Sequence, residues 1–477
     1  MTKKVVSMII IGWILTNSIV IVNATALSQT QSSPITQNIN FNEKPPKPIR
    51  QPAQFEPIEG VIIKFPFVPL SLIKEMAEDI EVVTIVENEA AKNFVKLQYM
   101  LFGIDLSHCS FLFAETEDFC PRDWGPQFIF NGNNELGVVD LKLPYYSPQD
   151  KIPTIYGNWQ NLPVYQMNII NEGGDYMTDG QGIAISTDYI LSRNKEYTRD
   201  EIGQMFSDYF GINTYHLVPV PSKSQYLHID VFAKLLSPDT IMIIQSSTDH
   251  PYYNIFEETA QYFENQTSCY GTPYNVVRIY THMYEPYINS LILNNKVLVP
   301  INGNKWDDEA IESYQNAMPG YEVLGFRYHN LYDEGWKYCN ALHCRTIEIP
   351  DREMLYIQHT PLSGIQINPA ESDSQFIFNG YEVVAKITPY SGEEIISDLT
   401  RVYWKIEDDD WNFIKLEPKE DGFYHATIPS QEAGTKISYY IHAEDESGRS
   451  ENHPYIGAPG AHSFYVINAP SKTSQIE

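Results

Sequence analysis

The 477-residue sequence lacks the usual signatures of a metal-binding or nucleic-acid-binding protein. It contains only five cysteines, no CxxC pair and no HExxH motif, so neither a structural zinc site nor a zinc-hydrolase site is expected. Basic residues are scarce, with 32 Lys and Arg against 61 Asp and Glu, which gives a net charge of −29. A chain this acidic repels phosphate backbones, so nucleic acid is not an expected partner.

Long apolar runs are also scarce, and the one that exists lies at the N-terminus. Two lysines precede a mostly apolar stretch over residues 5–22, and small residues follow it up to Ala26. This pattern predicts a secretory signal peptide over residues 1–26, so the mature protein is expected to be secreted, periplasmic or on the cell surface. An uncleaved membrane anchor is the alternative, but a polar triplet interrupts the apolar stretch. After cleavage no membrane contact is expected.

Export leads into an oxidising compartment, where cysteines tend to pair. An odd number of cysteines leaves at least one of them without a partner in the same chain. If Cys344 is that residue, then Cys109, Cys120, Cys269 and Cys339 can pair in three ways. The sequence does not choose among these pairings, and it does not require any of them.

The rest of the chain shows two different sequence patterns. Apolar strand patterns alternate with helical periodicity as far as about residue 360, which predicts an α/β region. Beyond it, short alternating segments recur about every ten residues between polar turns, which is typical of an antiparallel β-sandwich. Residues 27–50 are rich in Ser, Thr, Gln, Asn and Pro and indicate a flexible spacer. The predicted helices cover about residues 70–79, 89–101, 198–209, 252–265 and 307–317.

Four segments of the α/β region carry polar residues that packing alone does not explain. Asp123 lies in the turn CPRDWGP, and the paired glycines of Asn171–Asp175 allow a close backbone approach. His228 and Asp230 lie two residues apart on a predicted strand and should therefore share a face. Cys344 lies between two basic residues, whose positive charge is expected to lower the pKa of its thiol.

Together these groups fit one kind of chemistry. A guanidinium is planar and cationic, and carboxylates match its geometry two hydrogen bonds at a time. A thiolate can attack its central carbon, and a histidine can donate a proton to the departing ammonia and then activate water. A cysteine protease needs the thiol and the imidazole, but its bond cleavage does not use a carboxylate pair that holds a cation.

Five motifs then carry a family resemblance: CPRDWGP, NEGGDYMTDGQG, HIDVFAKLL, YINSLILNNKVLVP and ALHCRTIEIP. Their order and approximate spacing resemble the agmatine deiminase and bacterial peptidylarginine deiminase family, most closely its porphyromonad-type peptidylarginine deiminases. The resemblance implies a five-bladed α/β-propeller, the pentein fold, for residues 51–360, and an immunoglobulin-like β-sandwich for residues 361–470, before a tail over 471–477. It also implies hydrolysis of a guanidino group to a ureido group plus ammonia, without a metal or other cofactor.

The same resemblance assigns roles to individual residues. Cys344 matches the nucleophile that forms a covalent amidino-thioester, and His228 matches the general acid and base. Asp123 and Asp230 match the carboxylates that bind the guanidinium. Asn289 matches a polar residue close to the nucleophile.

Three departures from the family pattern bear on the substrate. Cys120 stands where the peptidyl enzyme has a tryptophan beside the guanidinium. Tyr145 and Ser147 stand roughly where two arginines hold a C-terminal carboxylate, so selectivity for C-terminal arginine is not supported. Glu172 and Asp175 stand where the peptidyl enzyme has uncharged residues. Glu172 resembles the glutamate that lines the substrate site of the agmatine enzymes, and an extra acid there favours a second positive group on the substrate.

Export and the β-sandwich tail favour an extracellular peptide or protein substrate. The expected function is therefore that of a secreted peptidylarginine deiminase, which converts arginine residues to citrulline. The alternative is an agmatine deiminase-like hydrolase of a small guanidino compound. A non-enzymatic surface adhesin with a degenerate pocket, or a cysteine protease, would be a different class of protein. The presence of Asp123, His228, Asp230 and Cys344 together argues against a degenerate pocket.

Overall fold

The computed structural model describes residues 43–220, 228–328, 335–337, 340–362, 364–367 and 380–468. In its part up to residue 350, the described chain forms five small mixed sheets of three or four strands. Each sheet combines one antiparallel pair with at least one parallel pair. Every parallel step spans a helix, because parallel neighbours need a long crossover connection.

Strands and helices alternate along most of this region. The strands are β1 Ile58–Lys64, β2 Glu81–Val86, β3 Cys109–Phe113, β4 Gln127–Phe130, β5 Leu136–Lys142, β6 Val164–Ile170, β7 Met177–Thr178, β8 Ile183–Thr187, β9 Thr214–Val218, β10 Ala233–Ser237, β11 Thr240–Gln245, β12 Asn275–Tyr280, β13 Leu291–Leu293, β14 Lys296–Ile301, β15 Glu322–Arg327 and β16 Thr346–Pro350. The helices are α1 Leu70–Asp79, α2 Glu89–Phe102, α3 Pro121–Trp124, α4 Ile152–Gln160, α5 Tyr189–Arg193, α6 Arg199–Phe210, α7 Tyr253–Glu264 and α8 Asp307–Ala317.

The first sheet joins the two ends of this region. Its strand order is β16-β1-β2-β3, so the last strand of the region pairs with the first. The other four sheets use consecutive strands, in the orders β4-β5-β6, β7-β8-β9, β10-β11-β12 and β13-β14-β15. The strands at the centre of these sheets are apolar and almost wholly buried, as expected for strands covered on both faces.

All five predicted helices are confirmed, and every predicted end agrees with the observed end within one residue. Local signals explain this agreement. Thr198 and Glu201 form a capping box at the start of α6, and Gly211 ends that helix with a left-handed backbone conformation. None of the helices in the described ranges is long and apolar enough to cross a membrane.

The tail forms two sheets that share one apolar core. The strands are β17 Leu355–His359, β18 Gly364–Ile367, β19 Gly380–Pro389, β20 Arg401–Ile406, β21 Asn412–Lys415, β22 Glu417–Pro418, β23 Tyr424–Pro429, β24 Lys436–Glu444, β25 Ser450–His453 and β26 His462–Ile467. Their orders are β17-β19-β23-β22 and β18-β26-β24-β20-β21, with β25 beside β24. Val383 and Ile428 of the first sheet pack in one cluster with Val402 and Ile441 of the second.

Two details of the tail differ from what the sequence pattern predicts. Strand β18 pairs with β26 in the parallel direction, whereas the other pairs of these two sheets are antiparallel. Strand β17 pairs with β19, so the tail sheet includes a strand that the division at residue 360 assigns to the α/β region. The start of the tail is therefore defined by the hydrogen bonds between β17 and β19, and not by the change of sequence pattern near residue 360.

The end of the segment predicted as a flexible spacer is not free, because Arg50 pairs with Phe130 through two backbone hydrogen bonds. The side chain of Arg50 connects the two regions of the chain. Its guanidinium carbon lies 3.7 Å from the centre of the Tyr356 ring, and its Nε donates to the hydroxyl of Tyr390 at 3.1 Å. Its Nη1 donates to Glu56 at 2.6 Å, and the side chain of Glu56 is only 3% exposed. Arg50 therefore compensates a buried carboxylate and also holds aromatic residues of the tail.

We expect Arg50→Met to lower the free energy of unfolding by about 3–5 kcal/mol, because it leaves the charge of Glu56 buried without its partner. Denaturant titration followed by tryptophan fluorescence measures this loss. The double variant Arg50→Met with Glu56→Gln removes both charges and should lose less. A double variant as unstable as the single one would show that the uncompensated charge is not the cause.

Candidate active site

The predicted site residues converge on one cavity of about 700 Å³, whose lining includes Asp123, Glu172, His228 and Cys344. These residues lie on short segments, each of which directly precedes an edge strand of one of the five sheets. Helix α3 precedes β4, and 3₁₀ turns at Gly173–Asp175, Ile229–Val231 and His343–Arg345 precede β7, β10 and β16. Asn289 lies two residues before β13. The same position in each sheet thus contributes one part of the site.

The prediction that His228 and Asp230 lie on a strand is wrong. His228 precedes a 3₁₀ turn over Ile229–Val231, and β10 begins only at Ala233. The carbonyl of His228 accepts from the amide of Val231, which closes the turn. Apolar alternation extends from β10 back into the turn, so the sequence pattern does not reveal where the strand starts. The turn nevertheless directs both side chains into the site.

Cys344, Asn289 and Asp230 form the buried centre of the site. The Cys344 thiol lies 3.4 Å from Asn289 Nδ2 and 3.6 Å from Asp230 Oδ2. The side-chain oxygen of Asn289 accepts from the Cys344 amide at 3.2 Å, and its amide group donates to Asp230 Oδ2 at 3.3 Å. Asn289 therefore positions both the thiol and the carboxylate.

Asp230 is satisfied on one oxygen only. Its Oδ2 accepts from His343 Nδ1 at 2.7 Å, whereas its buried Oδ1 has no hydrogen-bond partner among the described residues. Burial raises the pKa of Asp230 to about 7, although the charge of His228 opposes this rise. A cationic ligand that donates to Oδ1 would satisfy this carboxylate and favour its charged form.

The expectation of a lowered thiol pKa is wrong. Burial, followed by the charge of Asp230, raises the pKa of Cys344 well above its ordinary value of 9.0. Arg345 points away from the thiol, because its guanidinium donates to Asn340 and to the carbonyl of Phe67. Burial also lowers the pKa of His343 well below 6.5, so its ring is neutral and donates to Asp230 through Nδ1. These surroundings keep the thiol protonated at neutral pH.

His228 lies between two carboxylates. Its Nε2 is 3.1 Å from Glu172 Oε2, and its Nδ1 is 3.4 Å from Asp123 Oδ1. Burial lowers the pKa of His228, but the charge of Asp123 and the hydrogen bonds to Asp123 and Glu172 outweigh it and leave the pKa well above 6.5. The ring is therefore an imidazolium at neutral pH and can act as an acid.

The paired glycines allow the backbone to approach these side chains. The amide of Gly174 donates to Asp123 Oδ1 at 3.3 Å. A Cβ atom at Gly174 would lie 2.7 Å from Asp123 Oδ1 and 2.8 Å from His228 Nδ1, which is closer than real contacts. Gly173 packs equally closely against the carbonyl of Arg122. The glycines therefore permit assembly of the site, as the sequence pattern indicated.

Glu172 lines the cavity as predicted, but the protein already balances its charge. The same carboxylate oxygen contacts both His228 and Arg193. This arrangement weakens the expectation that Glu172 attracts a second positive group on a substrate. Asp175 lies deeper, where it accepts hydrogen bonds from Thr187 and from the amide of Ile229.

Of the residues at which the chain departs from the family pattern, Cys120 and Tyr145 line the cavity. Ser147 is buried and is not part of the lining. The thiols of Cys109, Cys120 and Cys269 form no disulfide, and Cys339 lies outside the described residues. The ranges that the structure describes contain no group of three or more His, Cys, Asp or Glu side chains arranged to hold a metal ion.

Sequence reasoning missed Arg193 and Tyr189, which line the cavity on α5, and Gln54, which lies 2.9 Å from His343 Nε2. None of them belongs to a recognisable motif, and each reaches the site only through the packing of separate elements. The sequence suggests His343 only as a neighbouring cation for the thiol. A polar residue directly before a strand is the one signal that could have drawn attention to His343 as a hydrogen-bond donor to Asp230.

Comparison with known proteins places this geometry in a family context. The chain is similar over 251 residues to an agmatine deiminase candidate from Mycoplasma mycoides, with 24% identity, covering 44% of this chain and 69% of the relative. The solved structure of the agmatine deiminase of Enterococcus faecalis superposes with a TM-score of 0.55 and 20% identity, covering 64% of this chain and 96% of that one. The C. jejuni agmatine deiminase gives a TM-score of 0.51 and 17% identity, with the same coverage.

At these identities the solved structures establish the fold alone, namely the α/β mixed sheets of the pentein deiminases. The family model of the Porphyromonas-type peptidyl-arginine deiminases matches residues 51–350, which include every sheet from β1 to β16 and every predicted site residue. Members of this family are hydrolases that act on the C–N bonds of guanidino groups. The chain belongs to the Porphyromonas-type peptidyl-arginine deiminase family.

Proposed function

We propose that this family member is an exported peptidylarginine deiminase, which hydrolyses arginine side chains of peptides and proteins to citrulline plus ammonia. The observation that carries the proposal is the half-satisfied carboxylate of Asp230. Its Oδ1 is buried without a partner among the described residues, while its Oδ2 lies 3.6 Å from the Cys344 thiol. A buried acceptor of this kind is costly unless a ligand donates to it.

A guanidinium meets this requirement. It carries five N–H donors in one plane, so it can donate to Asp230 and Asp123 at the same time and present its central carbon to the thiol. Its positive charge compensates the carboxylates and favours ionisation of Cys344, whose pKa is raised by burial. In this way the substrate itself promotes formation of the thiolate that attacks it.

The reaction then proceeds in two halves. The Cys344 thiol loses its proton to solvent as the guanidinium binds, and the sulfur then bonds to the guanidino carbon. The C–N bond to one terminal nitrogen breaks as His228 protonates that nitrogen, which releases ammonia. Neutral His228 next takes a proton from water, and the resulting hydroxide adds to the carbon of the amidino-thioester. The C–S bond breaks and the proton of the new hydroxyl group passes to the departing sulfur, which leaves the ureido group of citrulline and restores the Cys344 thiol. Asn289 holds the sulfur and Asp230 in register.

Two observations support a peptide substrate over a small one. The cavity of about 700 Å³ is larger than a guanidino head group needs, and Tyr145 at its wall is 43% exposed. Glu172, the residue expected to attract an amine, is bound to His228 and Arg193. The second candidate is an agmatine deiminase-like hydrolase, favoured by Glu117 and Asp118 in the cavity lining and by the names of the relatives.

The finer features of the fold belong to the same proposal. The five sheets, closed by the pairing of β16 with β1, support a five-bladed propeller within residues 51–360. The two facing sheets of the tail support an immunoglobulin-like module over about residues 361–470. The signal peptide, the spacer up to residue 42 and the tail from residue 471 lie outside the described residues, so export remains a prediction of the sequence.

We expect Cys344→Ala to reduce ammonia release at least about 10³-fold, because it removes the nucleophile. Ammonia release from an arginine peptide, followed with a glutamate dehydrogenase-coupled assay, measures the loss. Cys120→Ala is the matched control, since it removes another thiol from the same cavity and should retain turnover. Full activity of Cys344→Ala would refute the proposed chemistry.

We expect the affinity for guanidinium to fall about tenfold for each pH unit below about 7, because Asp230 is protonated there and only its ionised form attracts the cation. Inhibition by guanidinium chloride, measured between pH 5 and pH 8, tests this at constant ionic strength. Asp230→Asn should bind guanidinium weakly at every pH, whereas Asp123→Asn should keep the pH dependence. A pH-independent affinity in the wild-type protein would contradict the role of Asp230.

The substrate is tested by comparing ammonia release from agmatine, free arginine, and peptides with internal or C-terminal arginine. A higher kcat/KM for peptides, with a mass increase of about one dalton at arginine, supports the proposal. Preference for agmatine would favour the second candidate. Peptide cleavage would indicate a protease, and an unchanged peptide with no ammonia from any compound would favour an adhesin.

A further inference from the structure

Arg193, Glu172 and His228 form a continuous chain of charged groups along the cavity wall. Arg193 Nη2 and His228 Nε2 contact the same oxygen, Oε2, of Glu172. The three side chains are only 11–12% exposed. Arg193 also stacks on the ring of Tyr189, with its guanidinium carbon 4.3 Å from the ring centre. The end residue of helix α5 is thereby connected to the imidazolium of the site.

We propose that Arg193 is a positioning residue, which acts through Glu172 to keep the ring of His228 oriented between Glu172 and Asp123. This inference rests on the proposed deiminase function. It adds a residue that belongs to none of the five sequence motifs and that lies on a different element from every predicted site residue.

The geometry explains why the arrangement needs Arg193. A carboxylate that is bound by one cation only can rotate about its last torsion, because the second oxygen then competes for the same donor. Arg193 and His228 approach one oxygen of Glu172 from two elements, and the stacking on Tyr189 fixes the plane of the guanidinium. A buried Glu172 with only His228 as its partner would retain much of its desolvation cost.

The charges around this chain determine the expected response to pH. Asp123 on α3, Asp175 in its 3₁₀ turn and Asp230 before β10 face His228, and Tyr145 faces Glu172. Burial raises the pKa of Glu172, but His228 and Arg193 together outweigh it and leave the pKa below 4.5. Loss of Arg193 removes part of this stabilisation. The pKa of Glu172 then rises, and His228 loses its charged acceptor at a higher pH.

The test compares Arg193→Gln and Arg193→Lys with the wild-type enzyme, using kcat and KM for an arginine peptide from pH 4 to pH 9. We expect Arg193→Gln to lower kcat about tenfold or more, because a misplaced acid–base group loses much of its contribution of about 10²–10⁴. KM should change less than twofold, and the acid limb of kcat should move to higher pH. Arg193→Lys keeps the charge and should restore most of kcat and the position of that limb.

The pH profile of kcat is more informative than that of kcat/KM. In the saturated enzyme the bound guanidinium keeps Asp230 ionised, so the titration of Asp230 does not mask that of Glu172. Arg278→Gln is the matched control, because it removes another partly buried arginine, paired with Glu257 at 2.6 Å, that is not part of the cavity lining. This control should leave kcat, KM and the pH profile unchanged.

Should Arg193→Gln fail to fold, Tyr189→Leu replaces it, because this variant removes the ring that fixes the plane of the Arg193 guanidinium. A lower kcat with KM changed less than twofold supports the inference, and an unchanged kcat overturns it.

Two results would overturn the inference while leaving the proposed function intact. One is an active wild-type enzyme with unchanged kcat and pH profile in Arg193→Gln. The other is a rise in KM confined to peptides with a free C-terminal carboxylate and absent for amidated peptides. That result would mean that Arg193 binds the carboxylate of the substrate and does not act through His228. A wild-type protein that releases no ammonia would instead overturn the proposed function itself, and this inference with it.

Discussion

The site depends on one buried carboxylate that is held in place but left incomplete. His343, Asn289 and Cys344 each donate to Oδ2 of Asp230, and these three contacts fix the position of the carboxylate. Its Oδ1 has no partner within the described ranges. The protein thus bears the cost of burying the group, and a cationic ligand recovers that cost when it binds. A planar cation with several N–H donors, such as the guanidinium of the proposed substrate, meets this requirement.

The fold distributes this chemistry over all five sheets of the α/β region. Each sheet ends in an edge strand, and a short segment directly before that strand supplies one part of the site: Asp123 before β4, Glu172 before β7, His228 and Asp230 before β10, Asn289 before β13 and Cys344 before β16. Closure of the chain through β16 and β1 brings the last of these segments back to the first. Because no sheet contains the whole site, its geometry depends on how the sheets pack together.

The burial and the charges of the site keep both His228 and Cys344 protonated before a substrate binds. His228 is protonated because two carboxylates outweigh its burial, and Cys344 remains a thiol because burial and Asp230 both oppose its ionisation. A substrate cation changes this balance by compensating Asp230 and Asp123. Such a site protects its sulfur until a substrate binds, which suits a protein with a predicted route into an oxidising compartment.

Local patterns in the chain were enough to predict five of the eight helices that the structure describes before residue 350, and the chemical groups of the site, whereas the short helices α3, α4 and α5 were not predicted. Helices α1, α2, α6, α7 and α8 follow from apolar periodicity and end signals within a single segment, and the five motifs contain every residue of the thiol, imidazole and carboxylate set. The state of those groups, in contrast, follows from long-range packing. Three features depend on burial and on neighbours that are distant in the chain: the raised pKa of Cys344, the Oδ1 of Asp230 that has no partner within the described ranges, and the connection from Arg193 to His228. Burial and distant neighbours leave no local pattern in the sequence. For the same reason the pattern predicts strand at the turn Ile229–Val231, since apolar alternation is local whereas the hydrogen bonding that ends a strand is not.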